Sequence, residues 1–419
     1  MTIRSIRRNA EPVSDMRPRL HPDFAKLWMA LSASLGGSKI TALAIPLIAA
    51  VEVGVSPLQM GALAAVSEAS YLVVSLPVGL SIDRVRRRPI MIASDLACAL
   101  LLLSVPLAYV WSQVSFTHLC AVAAGVGLLS ATGEIAQMAY IPSLVGTKHL
   151  VPANSRIQLS HSMAESGGPG LGGLLIQVVS APLAILADAL TYLVSAVLVI
   201  GIAKPEVSVR QLVSSSRKAA LAEGFAGLLQ HPQLRPITLT SMGSALFSGG
   251  IMALLILYAT RDLHLSAIMI GAIFAIGGLC AIPGAMLADR AGRRFGIGGA
   301  IVWGWLIEAA AWLVIPFAIG PMALVVLMLG LSRAVEGCSG AVANIHQWTL
   351  RQTVTPDHLH GRVTASHRFL VYGSGAIGAV LGGVLGSMTD LRTAIFLCAL
   401  GALVARLAAV FTSLRHYRG

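Results

Sequence analysis

The sequence is poor in charged residues. Only 11% of its 419 residues are Asp, Glu, Lys or Arg, whereas 56% are hydrophobic. A water-soluble domain carries roughly 25% charged residues, so a soluble enzyme is close to excluded. A disordered chain is excluded as well, because disorder requires low hydrophobicity. The composition therefore predicts a membrane protein that crosses the bilayer several times.

Aromatic residues and cysteine are also scarce. Phe, Trp and Tyr make up 5% of the chain, and its five cysteines stand in apolar stretches without metal-ligand spacing, so we expect neither a disulfide nor a metal site. The sequence contains no phosphate-binding loop of the GxxxxGK[ST] form. We therefore expect that the protein is not an enzyme, binds no cofactor and does not hydrolyse ATP. Gly, in contrast, occurs 42 times, and small residues let transmembrane helices approach closely.

Long apolar stretches recur along the whole chain. A helix needs about 20 apolar residues to cross the hydrocarbon core, and twelve stretches meet this length. They run approximately over 27–50, 58–81, 90–111, 117–141, 155–179, 182–203, 236–259, 264–288, 296–318, 322–345, 363–387 and 392–412. We therefore predict an all-α membrane protein with 12 transmembrane helices. Its parts would be a cytoplasmic tail (1–22), a six-helix bundle (23–203), a cytoplasmic central connection (204–235), a second six-helix bundle (236–412) and a tail (413–419).

The basic residues fall on one side of the predicted bundle. Of the 30 Lys and Arg residues, 24 lie in the tails or in the connections that follow even-numbered spans. Only Arg261 and Arg392 lie on the opposite side. Because basic loops remain in the cytoplasm, both termini are expected to be cytoplasmic in the inner membrane. This asymmetry explains the net charge of +12 as a topology signal. We therefore expect the lipid bilayer as partner and no nucleic acid.

The chain contains an internal repeat. Asp83 and Asp289 occupy corresponding connections 206 residues apart, and each is followed by a run of arginines. The glycine-rich segment 168–173 precedes a similar segment, 378–383, by 210 residues. These offsets predict two six-helix halves of parallel topology with a substrate site between them near the middle of the membrane.

Two of these motifs are similar to those of a known transporter family. The Asp-Arg-x-x-Arg-Arg connection at 83–88 resembles the signature loop of the major facilitator superfamily. The segment 168–173, Gly-Pro-Gly-Leu-Gly-Gly, resembles the antiporter motif of that superfamily's drug exporters. The chain departs from these motifs at Arg86 and Ala164, where glycine is more usual. The resemblance covers about residues 22–412 and implies two helix bundles related by a pseudo-two-fold axis.

Further segments are similar to the branch that contains enterobactin exporters and macrolide-efflux proteins. They are Ala153-Asn154-Ser155, residues 188–192, Glu223-Gly224 leading to His231-Pro232, residues 350–357, Gly361-Arg362-Val363 and Arg368. The resemblance implies membrane transport and leaves the substrate open.

The superfamily resemblance also implies a latch that holds the two halves closed on the cytoplasmic side. Its candidate residues are Asp83, Arg84, Arg87, Asp95, Glu134, Asp289, Arg290 and Arg293. Asp95 and Glu134 lie roughly 8–11 Å inside the cytoplasmic end by helix rise, within reach of the arginines. The alternative is that these basic residues only set topology and anchor the helices. Gly168, Pro169, Gly172 and Gly173 are expected to bend span five and seal it against proton leak; a purely structural kink is the alternative.

Ionisable residues deep in the spans are candidates for a proton or substrate pathway, because charges in the membrane are costly and mark such pathways. They are Lys39, Glu68, Glu165, Arg333 and Glu336. Lys39 and Glu68 lie at similar depth and can pair, and Arg333 shares a helix face with Glu336. Each can instead form a neutralised structural pair. Glu308 is also deep, and Asp188 is interpreted as structural.

Together these features predict a monomeric secondary active transporter that exports a small amphipathic molecule, a drug or a siderophore, in exchange for protons. Its two halves would rock between inward-open and outward-open states. An importer of a siderophore or nutrient and a lysophospholipid transporter of the same fold remain alternatives. A non-transporting membrane receptor or assembly factor is the alternative from another class.

Overall fold

The computed structural model describes residues 22–81, 85–146, 149–204, 217–356 and 359–417. Every regular element in these ranges is helical. The α-helices are α1 (Pro22–Ile48), α2 (Pro57–Ser81), α3 (Arg87–Val110), α4 (Phe116–Val145), α5 (Leu150–Val179), α6 (Ala181–Ile200), α7 (Arg217–Gln230), α8 (Leu234–Arg261), α9 (Ala267–Trp312), α10 (Met322–Val354), α11 (His360–Met388) and α12 (Leu391–Leu407).

These helices form two bundles. Helices α1 to α6 pack on one another as the N-terminal bundle, and α8 to α12 form the C-terminal bundle. The chain begins its first helix beside the end of α6, where the Asp23 carboxylate accepts hydrogen bonds from the backbone N–H groups of Ala203 (3.1 Å) and Lys204 (2.9 Å). The short helix α7 then leads from α6 to the start of α8. We call this end of the molecule the terminal end and the opposite one the far end.

Helix α9 contains two arms separated by a reversal of the chain. At Gly296 the backbone has φ 74° and ψ 166°, a conformation that glycine adopts without steric cost. Gly284 in the first arm abuts Cys338 of α10, and Gly304 in the second arm abuts the neighbouring Ser339. Both arms therefore run along the same part of α10, as expected for separate eighth and ninth spans.

Nine helical stretches of the described residues are long and apolar enough to cross a membrane. The stretch that contains both arms of α9 counts once, and α2 and α5 are not among the nine. The chain is thus a multi-pass membrane protein.

The apolar cores show how the two bundles meet. At the far end, one cluster joins Ile48 and Met60 of the N-terminal bundle to Leu254 and Leu257 of the C-terminal bundle. At the terminal end, the core around Phe24 and Tyr140 and the core around Ile301 and Leu414 are separate clusters. Within the described residues, the bundles are therefore packed together at the far end and diverge toward the terminal end.

Glycines bring the two bundles into close contact at the far end. A Cβ added at Gly173 of α5 would lie 2.8 Å from the Cα of Gly271 in α9. A Cβ added at Gly61 of α2 would lie 2.9 Å from the Cα of Gly383 in α11. Since such distances leave no room for a side chain, these glycines allow backbone-to-backbone packing.

Candidate functional site

A cavity of about 500 Å³ lies between the two bundles and is lined by α1, α2, α4, α6, α8 and α11. We call it the central cavity. Its lining is mostly apolar or small, with hydroxyl groups such as those of Ser38 and Ser130. Glu68 and Asp188 are its acidic lining residues, and none of the described lining residues is Lys or Arg. This size and lining are typical of a small-molecule site.

Asp188 of α6 is a fully buried carboxylate in the wall of this cavity, with 0% of its surface exposed. Thr41 Oγ1 donates a hydrogen bond to it at 2.5 Å, and Thr191 Oγ1 donates a second at 3.2 Å. In the described part of the chain, no Lys or Arg forms an ion pair with Asp188. The sequence showed an acid within an apolar helix, but it did not show that this helix face borders the cavity.

Glu68 and Lys39 do not meet. Glu68 lines the central cavity from α2, whereas Lys39 of α1 packs against α5, with its Cβ 2.5 Å from a Cβ added at Gly168. No ion pair joins the two side chains within the described residues, so the pairing that their similar depth allowed does not form. The reason is the order of the helices: α1 packs on α5 and α6, while α2 packs on α4 and α11.

Glu165 lies on α5 outside the lining of the central cavity. Its backbone carbonyl oxygen faces Gly278 of α9, 2.7 Å from a Cβ added there, and its side chain is exposed.

A second cavity of about 510 Å³ lies within the C-terminal bundle, and we call it the side chamber. It shares Ala245, Ser248, Met252 and Val371 with the central cavity. The two spaces are therefore adjacent, and these four residues border both of them. Four charged residues line the side chamber: Glu308, Arg333, Glu336 and Arg406.

These four residues form two ion pairs. Arg333 Nη1 lies 2.5 Å from Glu336 Oε2, one turn away on α10. Arg406 Nη2 of α12 lies 3.0 Å from Glu308 Oε1 of α9. The formal charges cancel, so the chamber is polar but neutral overall.

Arg406 is the most deeply enclosed of the four, with 3% of its surface exposed. It also donates hydrogen bonds to Ser244 Oγ (2.9 Å) and to the Trp305 carbonyl oxygen (2.8 Å), and its guanidinium carbon lies 4.3 Å from the centroid of the Trp312 ring. The sequence alone assigns no role to Arg406. The signal that could have identified Arg406 as a site residue is an arginine within an apolar helix, the same signal that identified Arg333.

The predicted latch is only partly within the described residues. Asp83 and Arg84 lie outside them. Asp95 accepts a hydrogen bond from Ser195 Oγ of α6 at 2.6 Å. Arg87 is buried at the start of α3, and Glu134 is half-buried in α4.

The second copy of the loop motif is exposed at the terminal end. Asp289 Oδ2 lies 2.5 Å from Arg293 Nη1, one turn away on α9, and Arg290 beside them is also exposed. Gly292 abuts the His346 ring of α10, whose Nε2 would lie 2.5 Å from an added Cβ. In this arrangement the motif contacts its own helix and α10, which both belong to the C-terminal bundle.

The antiporter-like segment of α5 faces helices of both bundles. Helix α5 continues through Pro169. Gly168 and Gly172 abut α1, where a Cβ added at Gly172 would lie 3.3 Å from the Cα of Ile40. Gly173 abuts α9 of the other bundle. Bulk in this segment would therefore disturb the contact between the bundles.

The central connection contributes a helix that docks on α11. Glu223 of α7 forms an ion pair with Arg362, and the rings of Phe225 and Phe369 meet edge-on with centroids 6.2 Å apart. Gly224 permits this approach, since an added Cβ would lie 2.8 Å from the Arg362 carbonyl oxygen. Helix α7 is thus fixed to the C-terminal bundle.

Known proteins resemble this chain over nearly its whole length. Residues 27–379 match the family model of the Major Facilitator Superfamily. The chain is 26% identical over 397 residues to the multidrug efflux pump Tap of Mycolicibacterium fortuitum, covering 92% of this chain and 94% of that protein. It is 25% identical over 409 residues to the enterobactin exporter EntS of Shigella dysenteriae, covering 96% and 94%.

A solved structure has the same fold. A bacterial homologue of the iron transporter ferroportin, in an inward-facing state, superposes with a TM-score of 0.75 at 16% identity. The match covers 93% of this chain and 98% of that chain.

Proposed function

Because the chain belongs to the Major Facilitator Superfamily, whose members are transporters and not enzymes, we propose that it exports a small amphipathic molecule by proton antiport. The observation that carries this proposal is the central cavity between the bundles, which combines an apolar lining with the carboxyl groups of Glu68 and Asp188. An apolar wall suits the body of an amphipathic drug or siderophore. The carboxyl groups suit proton exchange, since ionisable residues within a membrane mark such pathways.

The topology follows from the charges. We assign twelve crossings to α1 to α6, α8, the two arms of α9, and α10 to α12. The basic residues concentrate at the terminal end, and this asymmetry supports our proposal that this end lies in the cytoplasm. In this orientation the bundles diverge on the cytoplasmic side, and we infer that the central cavity loads its substrate from there, as an exporter requires.

The export step needs the bundles to rock. The far-end contacts at Gly173–Gly271 and Gly61–Gly383 would separate, while the terminal end closes around the signature loops. The latch residues Asp83, Arg84, Arg87, Asp95 and Glu134, with Asp289, Arg290 and Arg293, remain our candidates for holding that closed state. Gly168 and Pro169 would let α5 bend during the change.

The energy would come from the proton gradient. One proton that moves through 100 mV supplies about 2.3 kcal/mol. Glu68 and Asp188 are our first candidates for the proton carrier, because both line the substrate cavity. Glu336 is a second candidate, and it would have to leave Arg333 when it binds a proton.

The test is accumulation of fluorescent drugs and labelled siderophores in cells that lack their own major exporters. Wild type should lower accumulation of at least one compound, and a protonophore should abolish this effect. Glu68→Gln, Asp188→Asn and Glu336→Gln locate the carrier. Glu52→Gln is the matched control, because Glu52 is exposed in the π-helical segment Ala49–Val53 that continues α1.

The direction of transport is read from the same cells. Higher accumulation with wild type than without it would indicate an importer and overturn export. Unchanged accumulation of every compound in every variant would contradict export of this substrate class.

A further inference from the structure

A third space lies away from both cavities, at the junction where α7 ends and α8 begins. It is a groove of about 710 Å³ that we call the junction groove, and it shares none of its described lining residues with the central cavity or the side chamber. His231, Arg235 and Leu239 line it on one side. Ala405 and Ala408 line it from the end of α12 and the turn that follows. The groove therefore lies at the terminal end of the C-terminal bundle.

Packed residues hold the two walls of the junction groove in place. Leu228 and Leu234, which flank the junction, pack with Val363 of α11 and are 1% and 2% exposed. One wall meets the other at Gly243 of α8, where an added Cβ would lie 3.0 Å from the Cβ of Ala405. The groove is thus a fixed feature of the folded bundle.

The junction groove has an apolar wall that is open to its surroundings. Leu229 and Leu239 line it with 43% and 49% of their surfaces exposed. Exposed apolar surface marks a place where another molecule binds. Helix α8 is long and apolar enough to cross a membrane, so the molecules beside Leu239 are lipids.

The polar part of the groove is positively charged and contains no acid. Arg235 is exposed and forms no ion pair in the described part of the chain, and none of the described lining residues is Asp or Glu. Nδ1 of His231 accepts a hydrogen bond from the Gln233 backbone N–H at 3.2 Å, so the neutral ring carries its proton on Nε2. The groove therefore offers a guanidinium group and an imidazole N–H to an anion.

The charge and the apolar wall lie one helical turn apart. Arg235 and Leu239 are four residues apart on one face of α8, which is about 6 Å along the helix axis, and Leu239 is the farther from the terminal end. A free phosphate ion would use only the cationic part of the groove. A phospholipid would use both parts, with its phosphate at Arg235 and an acyl chain along Leu239.

We propose that the junction groove is a binding site for an anionic phospholipid such as phosphatidylglycerol. Arg235 and Nε2 of His231 hold the phosphate of the headgroup, and the exposed leucines hold an acyl chain. Basic pockets beside transmembrane helices suit anionic lipid headgroups. This inference goes beyond the proposed function, because it requires neither an identified substrate nor a direction of transport.

Native mass spectrometry of the purified full-length protein in detergent tests the proposal, because it resolves single bound lipids. The probes are palmitoyl-oleoyl-phosphatidylglycerol, the phosphatidylcholine with the same chains, and glycerol phosphate, which carries the phosphate without acyl chains. Wild type should bind its first phosphatidylglycerol more tightly than its first phosphatidylcholine. A large excess of glycerol phosphate should not displace the bound lipid.

One variant removes the charge of the groove. Arg235→Gln should weaken binding of the first phosphatidylglycerol about five-fold, the equivalent of about 1 kcal/mol for one basic side chain near a membrane surface. It should leave phosphatidylcholine binding unchanged, because the choline group balances the phosphate charge. Arg86→Gln is the matched control, because Arg86 is exposed before α3 in the other bundle and the substitution removes the same charge. Its phosphatidylglycerol affinity should equal that of wild type.

A second variant fills the groove and keeps every charge. Ala408 is exposed in the groove, so Ala408→Phe should be compatible with folding and should weaken phosphatidylglycerol binding at least as much as Arg235→Gln does. Ala323→Phe is its matched control, because Ala323 is exposed at the far end of α10. This control should bind phosphatidylglycerol as wild type does.

The outcomes separate a lipid site from simpler explanations. Equal wild-type affinities for the two lipids overturn the site, and so does wild-type phosphatidylglycerol affinity in Ala408→Phe. An equal loss in Arg235→Gln and Arg86→Gln would show attraction by the net charge alone and overturn it. Displacement by glycerol phosphate would show a free-phosphate site instead. A protein that has the predicted lipid preference but moves no compound in cells retains this site and loses the export function.

Discussion

Replacing Arg406 by Met should strongly destabilise the C-terminal bundle. Met keeps much of the apolar stem of arginine but removes the guanidinium group. That group pairs with Glu308 at 3.0 Å, donates to Ser244 Oγ and the Trp305 carbonyl oxygen, and stacks on Trp312. The substitution therefore leaves the Glu308 carboxylate buried without its cation.

The magnitude follows from this uncompensated charge. Removing one partner of a buried ion pair costs about 3–5 kcal/mol, whereas replacing both partners by apolar residues is often close to neutral. We expect Arg406→Met to lower the free energy of unfolding by about 3–5 kcal/mol. The double variant Arg406→Met with Glu308→Met should recover most of this loss.

The free energy of unfolding can be measured by titrating the purified protein in mixed micelles with a denaturing detergent. Arg290→Met is the matched control, because Arg290 is exposed at the terminal end of α9, and it should change the free energy by no more than about 0.5 kcal/mol. A loss below about 1 kcal/mol for Arg406→Met would refute the reasoning. So would a double variant whose loss equals the sum of the two single losses, because the two residues would then be uncoupled.

Three further predictions concern helix contacts and a helix cap. Gly271→Val should force α5 and α9 apart at Gly173 and expose the far end. Labelling of cysteines engineered at the far end with a membrane-impermeant reagent would detect this exposure, and unchanged labelling would contradict the close contact. Gly224→Val should undock α7 from α11 and speed proteolysis of the central connection without changing the rest of the digestion pattern. Asp390→Ala should cost about 1 kcal/mol at pH 7, because the Asp390 carboxylate caps α12 by accepting from the Thr393 backbone N–H at 2.9 Å. This hydrogen bond is the main cause that lowers the pKa of Asp390 in the folded protein. The stabilisation by the cap is therefore complete above the unfolded pKa of about 4 and is lost as the pH falls through the lower folded pKa. A destabilisation by Asp390→Ala that is the same at pH 7 and pH 3 would contradict this cap.

Much of the fold follows from local properties of the sequence. Apolar stretches of about 20 residues mark crossings whatever their partners, and the 206-residue offset between Asp83 and Asp289 reflects two similar bundles. The two arms of α9 could also be predicted as separate apolar stretches, because Gly292, Arg293 and Arg294 interrupt the apolar pattern close to the reversal at Gly296.

The site was less predictable, because depth along a helix does not give the neighbour that a residue faces. Lys39 and Glu68 lie at similar depth by helix rise, yet α1 and α2 present them to different surroundings. The pair Arg333–Glu336 could be predicted because both residues lie on one turn of one helix. The pair Arg406–Glu308 joins α12 to α9, so only the packing of the C-terminal bundle reveals it.

The buried carboxylates of the two bundles have different partners, and this difference bears on the proposed proton coupling. In the N-terminal bundle, Asp95 and Asp188 accept hydrogen bonds from hydroxyl groups, so adding a proton to either leaves no cation uncompensated. In the C-terminal bundle, a proton on Glu336 would leave the Arg333 guanidinium as an isolated charge, at a cost of several kcal/mol. One proton moving through 100 mV supplies only about 2.3 kcal/mol. Under the proposed proton antiport, proton exchange is therefore cheaper in the N-terminal bundle, and Asp188→Asn should impair protonophore-sensitive export.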